Sequence, residues 1–304
     1  MHPVRAFVLG PQRRPTLGPV VGALDLASPV STVTAGWEER EPDDAELDAL
    51  LGGCSRNLRL HARWQDVLAR DPAYADAERQ YRAALREHRA LYQLRLDAAL
   101  RGLREVTRYD GDDAVRSAAR TDAEAVVRLV DEQHLARVRE ARASFEDTWR
   151  PGERDAVAEH RSAVSHLAGS ASALVVTGGN VEVLLHVLRL FAVPAPPAVI
   201  AWSAGAMALT ERVLLFHDRT PYSPSDAEFL DSGVGWLRGC VLLPHARRRL
   251  RTDDPVRMAE LAARAAPARC VVLDDSVRLD LGSHGELPSD ARVVAGDGHI
   301  GEVA

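Results

Sequence analysis

The stretch Pro197-Ala-Val-Ile-Ala-Trp-Ser-Ala-Gly-Ala-Met-Ala-Leu209 predicts a buried strand, a sharp turn and a helix, with Ser203 at the turn. β-Branched residues before Ala201 favour the strand, and the Ala-rich run after Ser203 favours the helix. In a nucleophile elbow, the serine sits on a strained strand-to-helix turn. Small residues are needed two positions before and after it, and Ala201 and Gly205 meet that need. The stretch is therefore a candidate nucleophile elbow, or an ordinary turn that happens to carry a serine.

Three neighbouring segments also have the pattern of strands that end in polar residues. They are Ser172–Asn180, which ends in Gly-Gly-Asn, Arg212–Asp218, which ends in an acid, and Cys240–His245, which ends in a histidine. In open α/β sheets, ligands bind outside the carboxyl ends of the strands. If all four strands run parallel, Ser203 is expected to meet Asp218 and His245 at one edge. The order Ser, Asp, His along the chain is that of the α/β-hydrolase triad.

A family resemblance rests on Gly178-Gly-Asn180, Trp202-Ser-Ala-Gly-Ala206, Asp218 and Pro244-His245. These residues resemble the serine peptidase family of aspartyl dipeptidase (dipeptidase E) and cyanophycinase, in the class I glutamine amidotransferase-like superfamily. The resemblance covers residues 151–280 well and residues 1–53 weakly, and residues 54–150 match nothing in the family. Ala201 stands where the family usually has glycine. A glutaminase is disfavoured, because such enzymes use cysteine where this chain has Ser203.

The resemblance implies a role for each of these residues. Ser203 would be the nucleophile, His245 the general base and Asp218 the acid that orients the histidine. Backbone N–H groups of Ala204 and of the Gly178-Gly179 turn would form the oxyanion hole. From the residues alone, Asp226, Asp231 and Asp274 could replace Asp218 as the orienting acid.

The substrate implied by the resemblance is a small aspartyl peptide. Its side-chain carboxylate needs a cation, which arginine supplies bidentately. Arg219 and Arg257 are the candidates, with Arg247 to Arg251 as rivals, and Asn180 and Trp202 are further candidate substrate contacts. Two different functions stay open: a cyanophycinase-like hydrolase of β-aspartyl-arginine peptides, and a regulatory or scaffolding homologue without activity.

Composition narrows the class of protein. The chain has 304 residues, of which 46% are hydrophobic and 27% charged, as in a soluble globular protein. Its net charge of −6 gives no reason to expect nucleic acid as a partner. It has no lysine, which excludes Schiff-base chemistry with pyridoxal phosphate and a lysine-bearing P-loop. We expect no cofactor.

Localisation is inferred from cysteine spacing and hydropathy. Cys54, Cys240 and Cys270 lie far apart, so no disulfide framework is expected and a reducing cytoplasm fits best. No apolar run reaches the length of a membrane span, and the N-terminal residues lack the apolar core of a signal peptide. We therefore expect a cytoplasmic protein without membrane contact.

The expected fold is an α/β domain with a doubly wound, mostly parallel sheet, formed by residues 1–53 and 151–304. Val4–Gly10 and Val30–Gly36 are predicted strands, with a helix over Leu17–Leu26 between them. Asp43 and Glu46 predict a capping box at the start of a helix that reaches Gly52-Gly53. After His245, we expect a strand near Cys270 and short antiparallel strands over residues 276–281 and 291–295.

Residues 54–150 are predicted to be a helical insertion. Apolar residues recur at helical spacing over residues 74–106 and again as far as Trp149, with a turn at Tyr109–Asp113. This pattern predicts an antiparallel helical hairpin, which we expect to mediate homodimer formation or to cap the substrate. The Asp131/His134 pair has a spacing that can serve metals, but alternating charges favour a solvated face, and no metal site is expected. The Pro- and Ser-rich loop of residues 219–226 is a candidate lid.

Overall fold

The computed structural model describes residues 4–12, 16–24, 29–216, 226–281 and 286–303. The strands are β1 (Arg5–Leu9), β2 (Val30–Val33), β3 (Ser55–Asn57), β4 (Ala173–Val176), β5 (Ala198–Trp202), β6 (Arg212–Leu215), β7 (Glu228–Ser232), β8 (Cys240–Pro244), β9 (Arg269–Leu273), β10 (Arg278–Asp280), β11 (Arg292–Val294) and β12 (Ile300–Glu302). The helices are α1 (Leu17–Leu24), α2 (Ala45–Leu50), α3 (Leu60–Arg70), α4 (Pro72–Arg108), α5 (Asp113–Trp149), α6 (Asp155–Gly169), α7 (Val181–Leu190), α8 (Ala204–Leu209), α9 (Ala246–Arg249) and α10 (Pro255–Ala265). The protein is thus a mixed α/β fold.

The central sheet is mostly parallel, as predicted. Among the described residues its order is β10-β1-β5-β4-β2-β3, and only β10 runs antiparallel to its neighbour. Strand β4 is buried at every position, and so is β5 from Val199 to Trp202. Continuous apolar strands of this kind are typical of a parallel sheet covered on both faces. The register pairs Leu9 with Trp202, so the loops after β1 and β5 leave the sheet side by side.

The remaining strands do not join this sheet. Strand β8 pairs in parallel with β9, which also pairs with β11, and β11 continues to β12. Strand β6 pairs antiparallel with β7. The expectation that four parallel strands of one sheet end in the candidate residues is therefore wrong for β6 and β8: β8 runs parallel to β9 in a second sheet, and β6 is in an antiparallel pair. For β6 the physical reason is β7, whose sequence carries no clear strand pattern and which supplies β6 with a hairpin partner.

The helical hairpin is confirmed. Helices α4 and α5 each span 37 residues and pack against each other along their length. Asp71 caps the start of α4 by accepting from the N–H of Tyr74, and Asp112 caps α5 by accepting from the N–H groups of Ala114 and Val115. The sheet continues past residue 54, because β3 is its edge strand beside β2. Within the described chain, no helix combines the length and apolar character needed to cross a membrane.

A buried polar cluster anchors the hairpin to the α/β domain. Asp131 on α5 accepts from Arg264 of α10 at 2.8 and 3.0 Å and from the hydroxyl of Tyr92 on α4 at 2.6 Å. The ring of His134 stacks on Tyr92 at 4.1 Å. The expectation of a solvated charged face at Asp131 and His134 is wrong, since both residues are 3% exposed. A hydrogen-bonded countercharge is what makes the burial of the carboxylate tolerable.

Two local predictions, for the end of β2 and the start of α2, also differ from the structure. The second strand ends at Val33 instead of Gly36, because residues Ala35–Arg40 form a 3₁₀ turn. The capping box is wrong: α2 begins after Asp44, whose side chain makes no capping hydrogen bond. Asp43 instead pairs with Arg40 at 3.1 Å.

Candidate active site

Ser203 occupies a strained turn between β5 and α8. Its backbone dihedrals are φ 50° and ψ −125°, a conformation outside the regions that L-residues ordinarily adopt. Gly205 explains how the turn can form: a Cβ there would lie 2.4 Å from the carbonyl oxygens of Val176 and Thr177. Only glycine therefore lets α8 approach β4 this closely. Strain of this kind persists where the surrounding structure enforces it, which is common at active sites.

The glycine turn after β4 lies against Ser203. A Cβ on Gly178 would stand 3.0 Å from the Cβ and 3.6 Å from the Oγ of Ser203. Gly179 has φ +117°, and a Cβ there would meet the carbonyl oxygen of Gly36 at 2.1 Å. The N–H of Asn180 donates to that same oxygen at 2.7 Å. The loop after β2 thus fixes the glycine turn beside the serine.

Asn180 is used to build this turn. Its Oδ1 accepts from the N–H groups of Glu182 and Val183 and caps α7. Its Nδ2 donates to the carboxylate of Glu38 at 2.9 Å. Glu38 has φ 57° and ψ −123°, nearly the conformation of Ser203. The hydrogen bond between Asn180 and Glu38 therefore joins the strained turn at Glu38 to the glycine turn beside Ser203.

Backbone donors are available at the serine. Within the described part of the chain, the N–H groups of Gly178 and Gly179 enter no hydrogen bond with another protein group. Ala204 is the first residue of α8, and the N–H groups of a helix's first turn have no intrahelical partner. Together these three N–H groups have the chemistry of an oxyanion hole.

His245 immediately follows β8 and has a left-handed backbone conformation, with φ 56° and ψ 33°. Its N–H donates to the carbonyl oxygen of Leu273 at 3.0 Å, which continues the parallel pairing of β8 with β9. The residue after Leu273 is Asp274. His245 and Asp274 therefore leave adjacent parallel strands at the same level.

Gly10 connects this pair to the serine. It follows Leu9, whose register partner is Trp202. A Cβ on Gly10 would lie 1.9 Å from the carbonyl oxygen of Asp274, so the two backbones are in direct contact. The ends of β5, β1, β9 and β8 are thus consecutive neighbours. Helix α8, which begins after Ser203, also packs against β8.

The carboxylate of Asp274 has one oxygen without a hydrogen bond. Oδ1 accepts from the N–H of Arg247 at 3.0 Å, whereas Oδ2 is buried and has no hydrogen-bond partner, although the Nε of Arg247 lies 3.5 Å away. The remaining candidate acids form ion pairs away from His245: Asp226 with Arg104, and Asp231 with Arg189. The sequence also contains a signal for Asp274. Cys240–His245 and Arg269–Asp274 have the same length, are mostly apolar and each end in a polar residue.

The other predicted site residues have varied placements. Asp218, Arg219 and most of the predicted lid lie outside the described residues. Trp202 is 8% exposed and packs in an apolar cluster with Phe7 and Leu9, so it offers a substrate little surface. Arg257 lies on α10 between two carboxylates, 3.7 Å from Asp226 and 3.8 Å from Asp254.

Cysteine chemistry is disfavoured at this site. Burial raises the pKa of Cys240 and of Cys270 to about 12, so both thiols are protonated at neutral pH and are poor nucleophiles. Cys54 is exposed after α2, at the opposite end of β3 from the glycine turn. Among the described residues, no three His, Cys, Asp or Glu side chains are grouped as a metal site.

Comparisons with known proteins found similar solved structures but no matching family. No family model matches the chain, and no curated protein matches it. A solved structure, "Crystal structure of a peptidase from an acI-B1 Actinobacterium", aligns with 97% of this chain and 92% of its own, at 12% sequence identity and a TM-score of 0.44.

Proposed function

We propose that the protein is a serine hydrolase that cleaves peptide or amide bonds through an acyl-enzyme at Ser203. The observation that carries the proposal is the backbone of Ser203, held at φ 50° and ψ −125° between β5 and α8. A strained strand-to-helix turn is what exposes the serine hydroxyl in a nucleophile elbow. Gly178, packed against Ser203, leaves the space that a reacting carbonyl needs.

In the mechanism, His245 removes the proton of Ser203 as Oγ attacks the carbonyl carbon. A serine hydroxyl is a weak nucleophile without such a base. Negative charge develops on the carbonyl oxygen, and the N–H groups of Ala204 and of the Gly178-Gly179 turn stabilise it. His245 then protonates the leaving amine, and water attacks the acyl-enzyme with His245 again acting as the base.

We assign the orienting acid to Asp274 in preference to Asp218. The Oδ2 of Asp274 is buried and needs a donor, because buried polar atoms are nearly always hydrogen-bonded. A ring N–H of His245 can supply it from the neighbouring strand. A carboxylate in this position fixes the tautomer of the imidazole and stabilises the imidazolium. Asp218 remains the rival acid.

The proposed substrates are small aspartyl peptides. Arg247 is one candidate cation, since it is two residues from His245 and its side chain is 68% exposed, although its Nε lies 3.5 Å from Asp274. Arg257 is already close to two carboxylates. Arginine binds a carboxylate through two parallel hydrogen bonds. Replacing Arg247 with glutamine should therefore raise KM for aspartyl substrates.

A fluorophosphonate probe tests the nucleophile separately from the substrate. We expect labelling of the wild type at Ser203, located by peptide mass spectrometry, and none in Ser203→Ala. Ser117→Ala, which removes an exposed hydroxyl on α5, is the matched control and should label normally. A folded wild type that is not labelled would contradict the proposal and favour a homologue without activity.

A dipeptide panel then tests the substrate. Asp-Xaa, β-Asp-Xaa and neutral dipeptides are compared in the wild type and in Ser203→Ala. Turnover of Asp-Xaa alone, lost in Ser203→Ala, would support the aspartyl dipeptidase assignment. Turnover of β-linked substrates alone would favour a cyanophycinase-like enzyme. Labelling without turnover of any dipeptide would leave the serine hydrolase standing and refute the substrate class.

A further inference from the structure

A large cavity lies between the helical hairpin and the α/β domain, separate from Ser203. Its volume is about 740 Å³, within the range of sites that bind small molecules. Helices α4 and α5 form one wall, and α6, α7 and β7 contribute to the other. Apolar side chains line much of it, including Leu85, Val138, Phe145 and Leu185. The cavity therefore has room and apolar surface for an organic molecule.

The charges that line this cavity are predominantly positive. Seven arginines and four acidic residues contribute to it, although the whole chain has a net charge of −6. Some of these arginines are neutralised locally. Arg89 pairs with Glu182 at 2.8 Å and with Glu228, and Arg189 pairs with Asp231 at 2.7 Å. Arg142 also pairs with Asp231.

Three other arginines of the lining lie beyond ion-pair distance of the described carboxylates, although the charge of Arg82 helps to lower the pKa of buried Glu78. Within the described chain, Arg82, Arg86 and Arg161 form no ion pair with a carboxylate. Arg82 lies over the ring of Trp64, and the Nε of Arg161 donates to the carbonyl of Leu190 at 2.7 Å. Arg82 and Arg86 are four residues apart on α4, so they project from the same side of the helix. Their positive charge is available to a ligand.

His134, which lines the cavity, has a ring nitrogen that can accept a hydrogen bond but has no donor. It is 3% exposed, and its Nε2 lies 3.3 Å from the carbonyl oxygen of Leu230. Because a carbonyl only accepts, Nε2 carries the proton and Nδ1 is an acceptor. Nδ1 is buried without a hydrogen-bond partner. A ligand with a hydroxyl or N–H group would satisfy it.

We propose that this cavity binds a small organic anion with an apolar body. A carboxylate or phosphate group would pair with Arg82 and Arg86, and the body would pack against Leu85 and Phe145. Guanidinium groups bind such anions through charge-assisted hydrogen bonds. The site is formed jointly by the hairpin and the domain, so it gives the insertion a ligand-binding role that does not depend on the chemistry at Ser203.

Two dyes of nearly equal shape test the proposal on the full chain. 8-Anilinonaphthalene-1-sulfonate is an aromatic anion, and N-phenyl-1-naphthylamine is its neutral counterpart. We expect saturable binding of the anionic dye to the native protein. The double variant Arg82→Gln/Arg86→Gln should weaken that binding about tenfold or more and change binding of the neutral dye less than about twofold. The corresponding double lysine variant should retain most of the affinity.

Controls separate this site from dye binding elsewhere. Arg101→Gln removes an exposed charge from the same helix outside the cavity lining and should leave the anionic dye's affinity unchanged. If the double variant is unfolded by circular dichroism, Arg86→Gln alone replaces it, because Arg86 is exposed. Unchanged affinity of the folded double variant for the anionic dye would overturn the proposal, as would unchanged affinity of Arg86→Gln where it replaces the double variant. Equal weakening for both dyes would overturn it too.

Discussion

The backbone N–H of His245 donates to the carbonyl oxygen of Leu273 at 3.0 Å, which carries the pairing of β8 and β9 one residue beyond Pro244. Asp274 consequently leaves its strand beside the proposed general base. Its Oδ2 is buried without a hydrogen-bond donor. The fold thus brings the backbones of His245 and Asp274 side by side at the ends of β8 and β9, next to Gly10 at the end of β1.

The first prediction concerns Asp274. Asp274→Asn should lower kcat by about 10³ to 10⁴, because the amide no longer fixes the tautomer of His245 or stabilises its cation. The rate of ester or dipeptide hydrolysis measures this, with thermal unfolding to confirm the fold. Asp275→Asn changes the exposed neighbouring carboxylate and should leave kcat unchanged. A large loss in Asp218→Asn, with none in Asp274→Asn, would reassign the acid to Asp218.

The second prediction concerns the space beside Ser203. Gly178→Ala should reduce kcat about tenfold to a hundredfold, because the new methyl group would lie 3.0 Å from the serine Cβ and displacement of a reacting group costs this much. Gly102→Ala is the matched control, since a Cβ there meets nothing within 4 Å. It should keep full activity and raise stability by about 0.5–1 kcal/mol, because glycine disfavours a helix interior. Equal activity of the two variants would contradict the proposed site.

Elements with strong local patterns can be predicted from the sequence. The turn at Ser203 is encoded by the small residues around it, and the hairpin by helical periodicity over residues 74–149. The pairing of strands is harder to predict, because a short apolar run such as Arg212–Leu215 does not indicate which strand it pairs with. Position in the chain favours Asp218 over Asp274, whereas the proposal of Asp274 as the orienting acid rests on the β8–β9 register.

The buried cluster that anchors the hairpin cannot be predicted from the sequence for a related reason. Asp131 and His134 look like surface residues in a run of alternating charges. Their burial depends on Arg264, which lies 133 residues further along the chain. A contact over this separation leaves no mark in local periodicity.

The third prediction concerns this ion pair. Arg264→Met should destabilise the protein by about 3–5 kcal/mol, because it leaves the carboxylate of Asp131 buried without its cation. The free energy of unfolding in urea measures the effect. Arg5→Met breaks the exposed pair with Asp280, which has the same 2.8 Å separation, and should leave the free energy of unfolding nearly unchanged. Equal small losses in both variants would show that the buried pair does not anchor the hairpin.

The fourth prediction is a pH dependence of stability that arises from His134. Burial lowers the pKa of its imidazole below the ordinary 6.5, partly opposed by the hydrogen bond to Leu230 and by the nearby carboxylates of Glu228, Asp231 and Asp131. Below pH 6.5 the unfolded chain therefore binds a proton that the native state does not. Stability should fall as the pH decreases from 6.5 towards the native pKa.

Urea unfolding at intervals between pH 7.5 and 5 measures this slope. His134→Asn should lower overall stability, because the stack on Tyr92 is lost, and should also flatten the slope between pH 6.5 and 5. His166→Asn, at an exposed position, should preserve the slope. Buried Glu78 titrates at lower pH and can be separated from this effect. Burial acts to raise the pKa of its carboxyl group, but the contacts with His186 and Trp64 outweigh burial and lower that pKa below 4.5. The stability that Glu78 contributes is therefore lost only at lower pH. An undiminished slope in His134→Asn would show that another group takes up the proton.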